Sequence, residues 1–125
     1  MMFLRTLLIV LAFAGAARAQ QMITVFCASG ITGGGGGTRA EPGGRIVRLQ
    51  RDRSMGNPVE TMLGQDPAAV ARWHAALDLA GFDAMRLNNP GNITCSLRRG
   101  QNALSWPFEP PSSIPPGVQA VFREL

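Results

Sequence analysis

Residues 22–37 read MITVFCASGITGGGGG, and this stretch decides how the chain can fold. Met22 to Ala28 combines β-branched and aromatic residues, which favour a β-strand. Both faces of this strand are apolar, so we expect it to lie centrally in a sheet. The five consecutive glycines have a large backbone entropy and cannot hold regular structure without neighbours. We therefore predict that residues 29–37 form a loop that ends the strand.

The segment after the glycines predicts two further strands and an irregular region. Residues 38–41 are a candidate short strand, followed by a Pro-Gly-Gly turn. Residues 45–51 (RIVRLQR) alternate, with Val47 and Leu49 on one face, as in a half-buried strand. Residues 52–65 contain Gly-Asn-Pro and a further glycine, which predicts irregular structure.

A β-hairpin is predicted in the second half of the chain. Residues 92–99 (NITCSLRR) alternate in polarity, and Gly100-Gln101-Asn102 makes a turn into residues 103–108. Pro107 cannot donate a backbone hydrogen bond, so the end of this strand should lie at an edge. We expect the aligned apolar side chains of this strand to face the core: Leu104, Trp106 and Phe108.

Two helices are predicted. Asp66 is a suitable N-cap, Pro67 a suitable first helical residue and Gly81 a suitable left-handed stop. Between them, one apolar stripe recurs at helical spacing: Val70, Trp73, Leu77 and Ala80. A short C-terminal helix is indicated by the same spacing at Val118, Val121, Phe122 and Leu125.

These elements predict an α+β fold. We expect a small, mostly antiparallel sheet of about four or five strands, with the main helix and the short C-terminal helix on one face. Residues 20–125 are long enough for a single domain of this kind.

Residues 1–19 have the pattern of a secretory signal peptide. Arg5 supplies the positive charge, residues 6–16 are apolar, and Ala17-Arg18-Ala19 fits the small-x-small cleavage rule. The apolar run is shorter than the roughly 20 residues that a membrane-spanning helix needs, so we expect no stable membrane anchor. Cleavage before Gln20 predicts a periplasmic or secreted protein; the alternatives are an uncleaved anchor and a stray apolar N-terminus.

Cys27 and Cys95 are the two cysteines of the chain. In an oxidising compartment they allow one intramolecular disulfide, and two buried free thiols are the alternative. Two cysteines and the single histidine, His74, cannot supply four zinc ligands, so we expect no metal site of this kind. We also expect no cofactor.

The charge of the chain argues against a nucleic-acid partner. Loss of Arg5 and Arg18 with the leader lowers the formal net charge from +4 to +2. The remaining arginines are scattered, whereas phosphate binding favours a clustered basic stripe. We therefore expect a protein partner, and the sequence does not fix the oligomeric state.

Motifs for catalysis are absent from the sequence. His74 and Asp78 are spaced i, i+4, which is typical of a surface contact on a helix. No serine lies in the sequence context of a nucleophile. A turn and a strand follow the glycine run where a dinucleotide fingerprint requires a helix. The sequence therefore predicts a protein that is not an enzyme, with no catalytic residues.

The strand ITVFCAS and the turn after it resemble the opening of the emfourin-like family, small bacterial inhibitors of thermolysin-like metalloproteinases. The resemblance continues in the helix that closes with Leu79-Ala80-Gly81-Phe82, in the hairpin and in the helix after Pro116. It implies an α+β inhibitor whose turn contacts a protease. The leader, the cysteine pair and the longer glycine tract depart from that family.

Two functions from different classes follow from these observations. The first is an exported, non-enzymatic protein-binding module that presents residues 29–39 as a contact loop. Protease inhibition is the particular function that we consider for it. Its binding residues would be Ser29, Gly30, Ile31, Thr32 and Gly33. The alternative is a structural or accessory cell-envelope protein in which the glycine tract is a slack connector.

Overall fold

The structure, a computed structural model, describes residues 21–52 and 56–125. These residues form one antiparallel sheet with the strand order β4-β3-β2-β1-β5-β6. The expected α+β class is confirmed, but the sheet has six strands rather than four or five. The strands are β1 Ile23–Ser29, β2 Gly35–Ala40, β3 Arg45–Arg51, β4 Val59–Gln65, β5 Ile93–Arg99 and β6 Asn102–Pro107.

Two helices lie where the sequence predicts them. Helix α1 is Pro67–Ala80 and helix α2 is Pro116–Glu124, and short 3₁₀ turns occur at Pro42–Gly44 and Phe82–Ala84. The Asp66 carboxylate accepts a hydrogen bond from the backbone N–H of Ala69 at 3.1 Å, as an N-cap should. Gly81 ends α1 with φ 74°, the left-handed conformation that glycine adopts without a steric cost.

Both helices cover the same face of the sheet, where the main core lies. Side chains of the central strand β1 meet those of α1, α2, β5 and β6 there, which confirms the central position of β1. The Trp106 and Phe122 rings meet edge to face at 5.0 Å. The largest fully buried side chains of this core include Trp106, Phe82, Ile23, Leu77, Leu97 and Leu104.

Cys27 and Cys95 form the predicted disulfide, with an S–S distance of 2.04 Å. The two residues are directly opposite each other on β1 and β5. Because they are 68 residues apart in the sequence, the bridge joins the N-terminal part of the domain to the C-terminal hairpin.

The glycine tract is not a loop over its whole length. Residues 35–37 belong to β2, which lies between β1 and β3, so the expectation of an irregular segment up to Gly37 is wrong. A Cβ atom on Gly37 would overlap the carbonyl oxygen of Val25, and one on Gly35 would overlap that of Cys27. The neighbouring strands supply the support that an isolated glycine run lacks.

Strand β4 corrects the prediction that residues 52–65 are irregular. All of its side chains are exposed, and the one half-buried residue is Gly64, so the strand has no buried face that would give the sequence a recognisable alternation. The strand pairs with β3 along one side, and the register shifts between Ile46 and Val47. Tertiary pairing, rather than local propensity, makes this segment a strand.

Strand β3 alternates as predicted, but apolar side chains lie on both of its faces and not on the helix side alone. Val47 and Leu49 are 1% and 6% exposed, yet they lie on the face opposite the helices. Ile46 lies on the helix side and packs against the main core. Among residues 21–52 and 56–125 no helix lies on this face, which we call the helix-free face, and it has a small apolar patch of its own.

Residues 1–19, the predicted signal peptide, lie outside the described residues. Among the residues that the structure does describe, no helix has the length and hydrophobicity to cross a membrane.

Candidate functional site

The predicted binding residues Ser29 to Gly33 lie together in the hairpin that joins β1 to β2. Only residues 30–34 are outside the strands, so the contact loop is shorter than the predicted 29–39. Strand β1 ends at Ser29, and the N–H of the next residue, Gly30, donates a hydrogen bond to the Asn92 carbonyl at 2.6 Å. The loop thus lies at the end of the sheet where β5 begins.

Hydrogen bonds within the loop fix its shape. The Ser29 N–H donates to the Gly34 carbonyl and the Gly33 N–H donates to the Ser29 carbonyl, both at 2.8 Å. The Ser29 hydroxyl oxygen accepts from the N–H of Ile31 at 3.2 Å, which is a serine turn. Arg51 Nε donates to the Gly33 carbonyl at 2.9 Å from strand β3. These contacts hold the loop in a defined shape at the end of the sheet.

Two further apolar residues flank the loop. Ile93 is directly opposite Ser29, and the Phe108 N–H donates to the Ile93 carbonyl at 3.0 Å. Ile31, Phe108 and Ile93 are 86%, 63% and 41% exposed. We call this surface, formed by residues 29–33, Ile93 and Phe108, the sheet tip.

The Phe108 backbone is strained. Its φ of 52° is in the left-handed region, and among the described residues it is the one residue other than glycine with a positive φ. Such a conformation costs on the order of 1–3 kcal/mol and is held by its surroundings. The Phe108 ring is exposed, so the expectation that it faces the core with Trp106 is wrong. Because β6 ends at Pro107, the strand alternation does not extend to Phe108.

The disulfide lies directly behind the sheet tip. Cys27 and Cys95 are two residues before Ser29 and two residues after Ile93 in the paired strands. The bridge therefore ties together the two strands from which the tip projects, which limits their relative motion.

A polar cluster lies toward the end of β5 opposite the sheet tip, around the buried Arg99. Its Nη2 is 2.8 Å from an Asp78 carboxylate oxygen and donates to Asp83 at 3.1 Å. Its Nη1 donates to the His74 carbonyl at 3.2 Å and lies 3.4 Å from His74 Nδ1. Arg99 therefore joins α1 to β5 and to the turn at residues 82–84.

His74 is 9% exposed, so the expectation of a surface His74–Asp78 contact is wrong. Burial, and then the charge of Arg99, lower the pKa of His74 below its ordinary value; the Gln21 backbone and the two carboxylates oppose this shift. Because a guanidinium group only donates, the contact with Arg99 requires Nδ1 to be the unprotonated nitrogen. The cluster lines a cavity of about 770 Å³ between α1 and the two 3₁₀ turns.

No group of three or more metal-ligating side chains occurs within residues 21–52 and 56–125. No protein-family model matches the chain, and a search of curated proteins finds no match.

Proposed function

We propose that the protein is an exported, non-enzymatic module that binds a protein partner through the sheet tip and inhibits a protease. The observation that supports this function is the exposure of three apolar side chains, Ile31, Ile93 and Phe108, on a frame fixed by hydrogen bonds and backed by a disulfide. Exposed aromatic and aliphatic residues on a pre-organised surface bind at a low cost in conformational entropy.

Export rests on the predicted signal peptide, and the disulfide supports it. Disulfides persist in the periplasm and outside the cell and are rare in the cytosol. The Cys27–Cys95 bridge is therefore the kind of bond that an oxidising compartment maintains.

A metalloproteinase is the preferred target because the turn at residues 29–33 resembles that of the emfourin-like inhibitors. The mature, oxidised protein would be mixed with secreted metalloproteinases and serine proteases, and the cleavage of a peptide substrate would be followed. We expect slower cleavage at micromolar excess of the protein. Unchanged cleavage by every protease would contradict inhibition.

Variants at the sheet tip separate binding from folding. Ile31→Asp places a charge on the most exposed apolar residue of the tip, and Phe108→Asn removes the ring but tolerates a left-handed backbone. We expect each variant to weaken inhibition at least about tenfold, the equivalent of about 1.4 kcal/mol. Leu79→Asp is the matched control, because Leu79 is 92% exposed on α1.

A photo-crosslinking residue at position 31 tests partner binding without assuming protease inhibition. Crosslinking to a partner in envelope extract from position 31, but not from position 79, is the expected result. Equal labelling from both positions would contradict the sheet tip as the binding surface and leave the structural or accessory envelope role as the alternative.

A further inference from the structure

Arg51, the last residue of β3, holds its side chain against the sheet tip. Its Nε donates to the Gly33 carbonyl at 2.9 Å, and its guanidinium carbon lies 5.2 Å from the centre of the Phe26 ring. Arg51 and Phe26 are both half-buried on the helix-free face of the sheet. Because an aromatic ring attracts a cation at this distance, the guanidinium group is held by two different contacts.

The charge of Arg51 is not balanced in the way that other arginine charges of the sheet are. Arg39 lies on the same face, and its guanidinium group pairs with the carboxylates of Glu41 and Glu60. Within the described part of the chain, Arg51 forms no ion pair, and this includes the adjacent Asp52. Arg51 therefore has a fixed position without a counter-ion from these residues.

The remaining residues of the chain have no carboxylate side chain to offer. Residues 1–20 and 53–55 contain neither aspartate nor glutamate. A guanidinium group has five N–H donors, and its planar fork matches the two oxygens of a carboxylate. Only Nε of Arg51 donates a hydrogen bond among residues 21–52 and 56–125. Both Nη nitrogens are therefore available to a carboxylate from another molecule.

We propose that Arg51 is part of the binding surface at the sheet tip and binds an aspartate or glutamate side chain of the partner through its two Nη nitrogens. The proposal rests on the proposed function of the tip and adds the chemistry of the partner, an acidic side chain next to an apolar one. Ile31, two residues before Gly33 in the same loop, supplies the apolar contact. Arginine is enriched among the residues that dominate binding energy, and an arginine that is already fixed loses little side-chain entropy on binding.

A peptide titration followed by nuclear magnetic resonance tests the carboxylate site without a protease. The probe is acetyl-Leu-Glu-amide, and the neutral acetyl-Leu-Gln-amide is its control. We expect the Arg51 Nε–H signal to shift saturably with the glutamate peptide at millimolar concentration and to stay unchanged with the glutamine peptide. Arg48, which is exposed on the opposite face of β3, should respond to neither. No saturable shift at Arg51, or an equal shift with the control peptide or at Arg48, would overturn the proposal.

Variants separate the charge of Arg51 from its support of the loop. R51Q removes the charge and should weaken inhibition of a protease at least about tenfold at low salt. R51K keeps the charge but loses the Nε–H group that donates to Gly33, so its inhibition should lie between those of R51Q and the wild type. R48Q loses the same charge on the opposite face and should inhibit like the wild type. Equal losses in R51Q and R51K would reduce Arg51 to a support of the loop and overturn the proposal.

The results distinguish this proposal from the proposed function. A protease whose inhibition is weakened by Ile31→Asp but not by R51Q would leave the sheet tip as the binding surface and overturn the role of Arg51. If no protease is inhibited, the peptide titration alone decides the carboxylate site: a specific shift at Arg51 supports it, and the absence of that shift overturns it.

Discussion

The two halves of the sheet are stabilised in opposite ways. In the half made of β1, β5 and β6, large side chains fill the space beneath two helices, with Trp106, Leu97 and Leu104 fully buried. In the half made of β2, β3 and β4, the absence of side chains at Gly35 and Gly37 allows β2 to lie close to β1. The comparison shows that one half of a sheet can depend on large buried side chains while the other half depends on glycines that have no side chain.

The largest effect should come from the helix-covered half. Trp106→Ala removes a fully buried indole that packs against Phe122, and it should lower the free energy of unfolding by about 4 kcal/mol. Urea denaturation followed by circular dichroism measures this loss. A decrease in the free energy of unfolding of less than about 1 kcal/mol would mean that large buried side chains are not the main source of stability in this half.

The second test adds one methyl group to the glycine half. Gly37→Ala should lower the free energy of unfolding by about 3 kcal/mol or prevent folding, because its Cβ would overlap the Val25 carbonyl oxygen. Gly36→Ala is the matched control: the nearest atom to its Cβ is the Leu49 carbonyl oxygen at 3.3 Å, and the loss should stay below about 1 kcal/mol. Denaturant midpoints of the two variants should therefore differ. Equal midpoints would contradict the claim that β2 depends on the missing side chain at Gly37.

A smaller effect is expected on the helix-free face. Leu49→Ala should cost about 2 kcal/mol, at the lower end of the range for buried leucine, because neither of the two described helices covers this side of β3. Leu97→Ala in the main core gives the comparison and should cost more. Thermal melting of both variants checks the order, and a reversed order would indicate that the helix-free patch is the stronger core.

The smallest effect is a dependence of stability on pH, and it belongs to the helix-covered half. The pKa of His74 is lowered in the folded protein by burial and by Arg99, so the unfolded chain takes up the proton first as the pH falls. Stability should be full above the ordinary histidine value of about 6.5 and should decrease as the pH falls below it.

Urea midpoints at about pH 7.5 and about pH 5 measure this change, and His74→Gln should reduce it. An unchanged dependence in the variant would assign the effect to other groups.

The sequence predicted those parts of the fold that have a local signal. Helix α1 has an N-cap, a first-turn proline, an apolar stripe and a glycine stop, and its bounds follow from them. The disulfide followed from the cysteine count and from the predicted export to an oxidising compartment.

The parts that could not be predicted depend on long-range pairing. The glycine strand is regular only because β1 and β3 hold it, and β4 has almost no buried face to produce alternation. At the sheet tip, the loop was recognisable from Gly30 and Gly33. The exposure of Phe108 was not predicted, because its alternation with Trp106 indicates a core position. The proline at position 107 was the one signal that the alignment ends there.

The spacing of the overlaps in β2 also has a genetic consequence. Every first- or second-base change in a glycine codon gives a stop codon or a residue with a Cβ atom. At Gly35 and Gly37 that atom meets the backbone of β1, whereas at Gly36 the nearest atom is 3.3 Å away. A saturation mutagenesis scan should therefore find intolerance, tolerance and intolerance at three consecutive codons, a period of two within a low-complexity stretch of sequence.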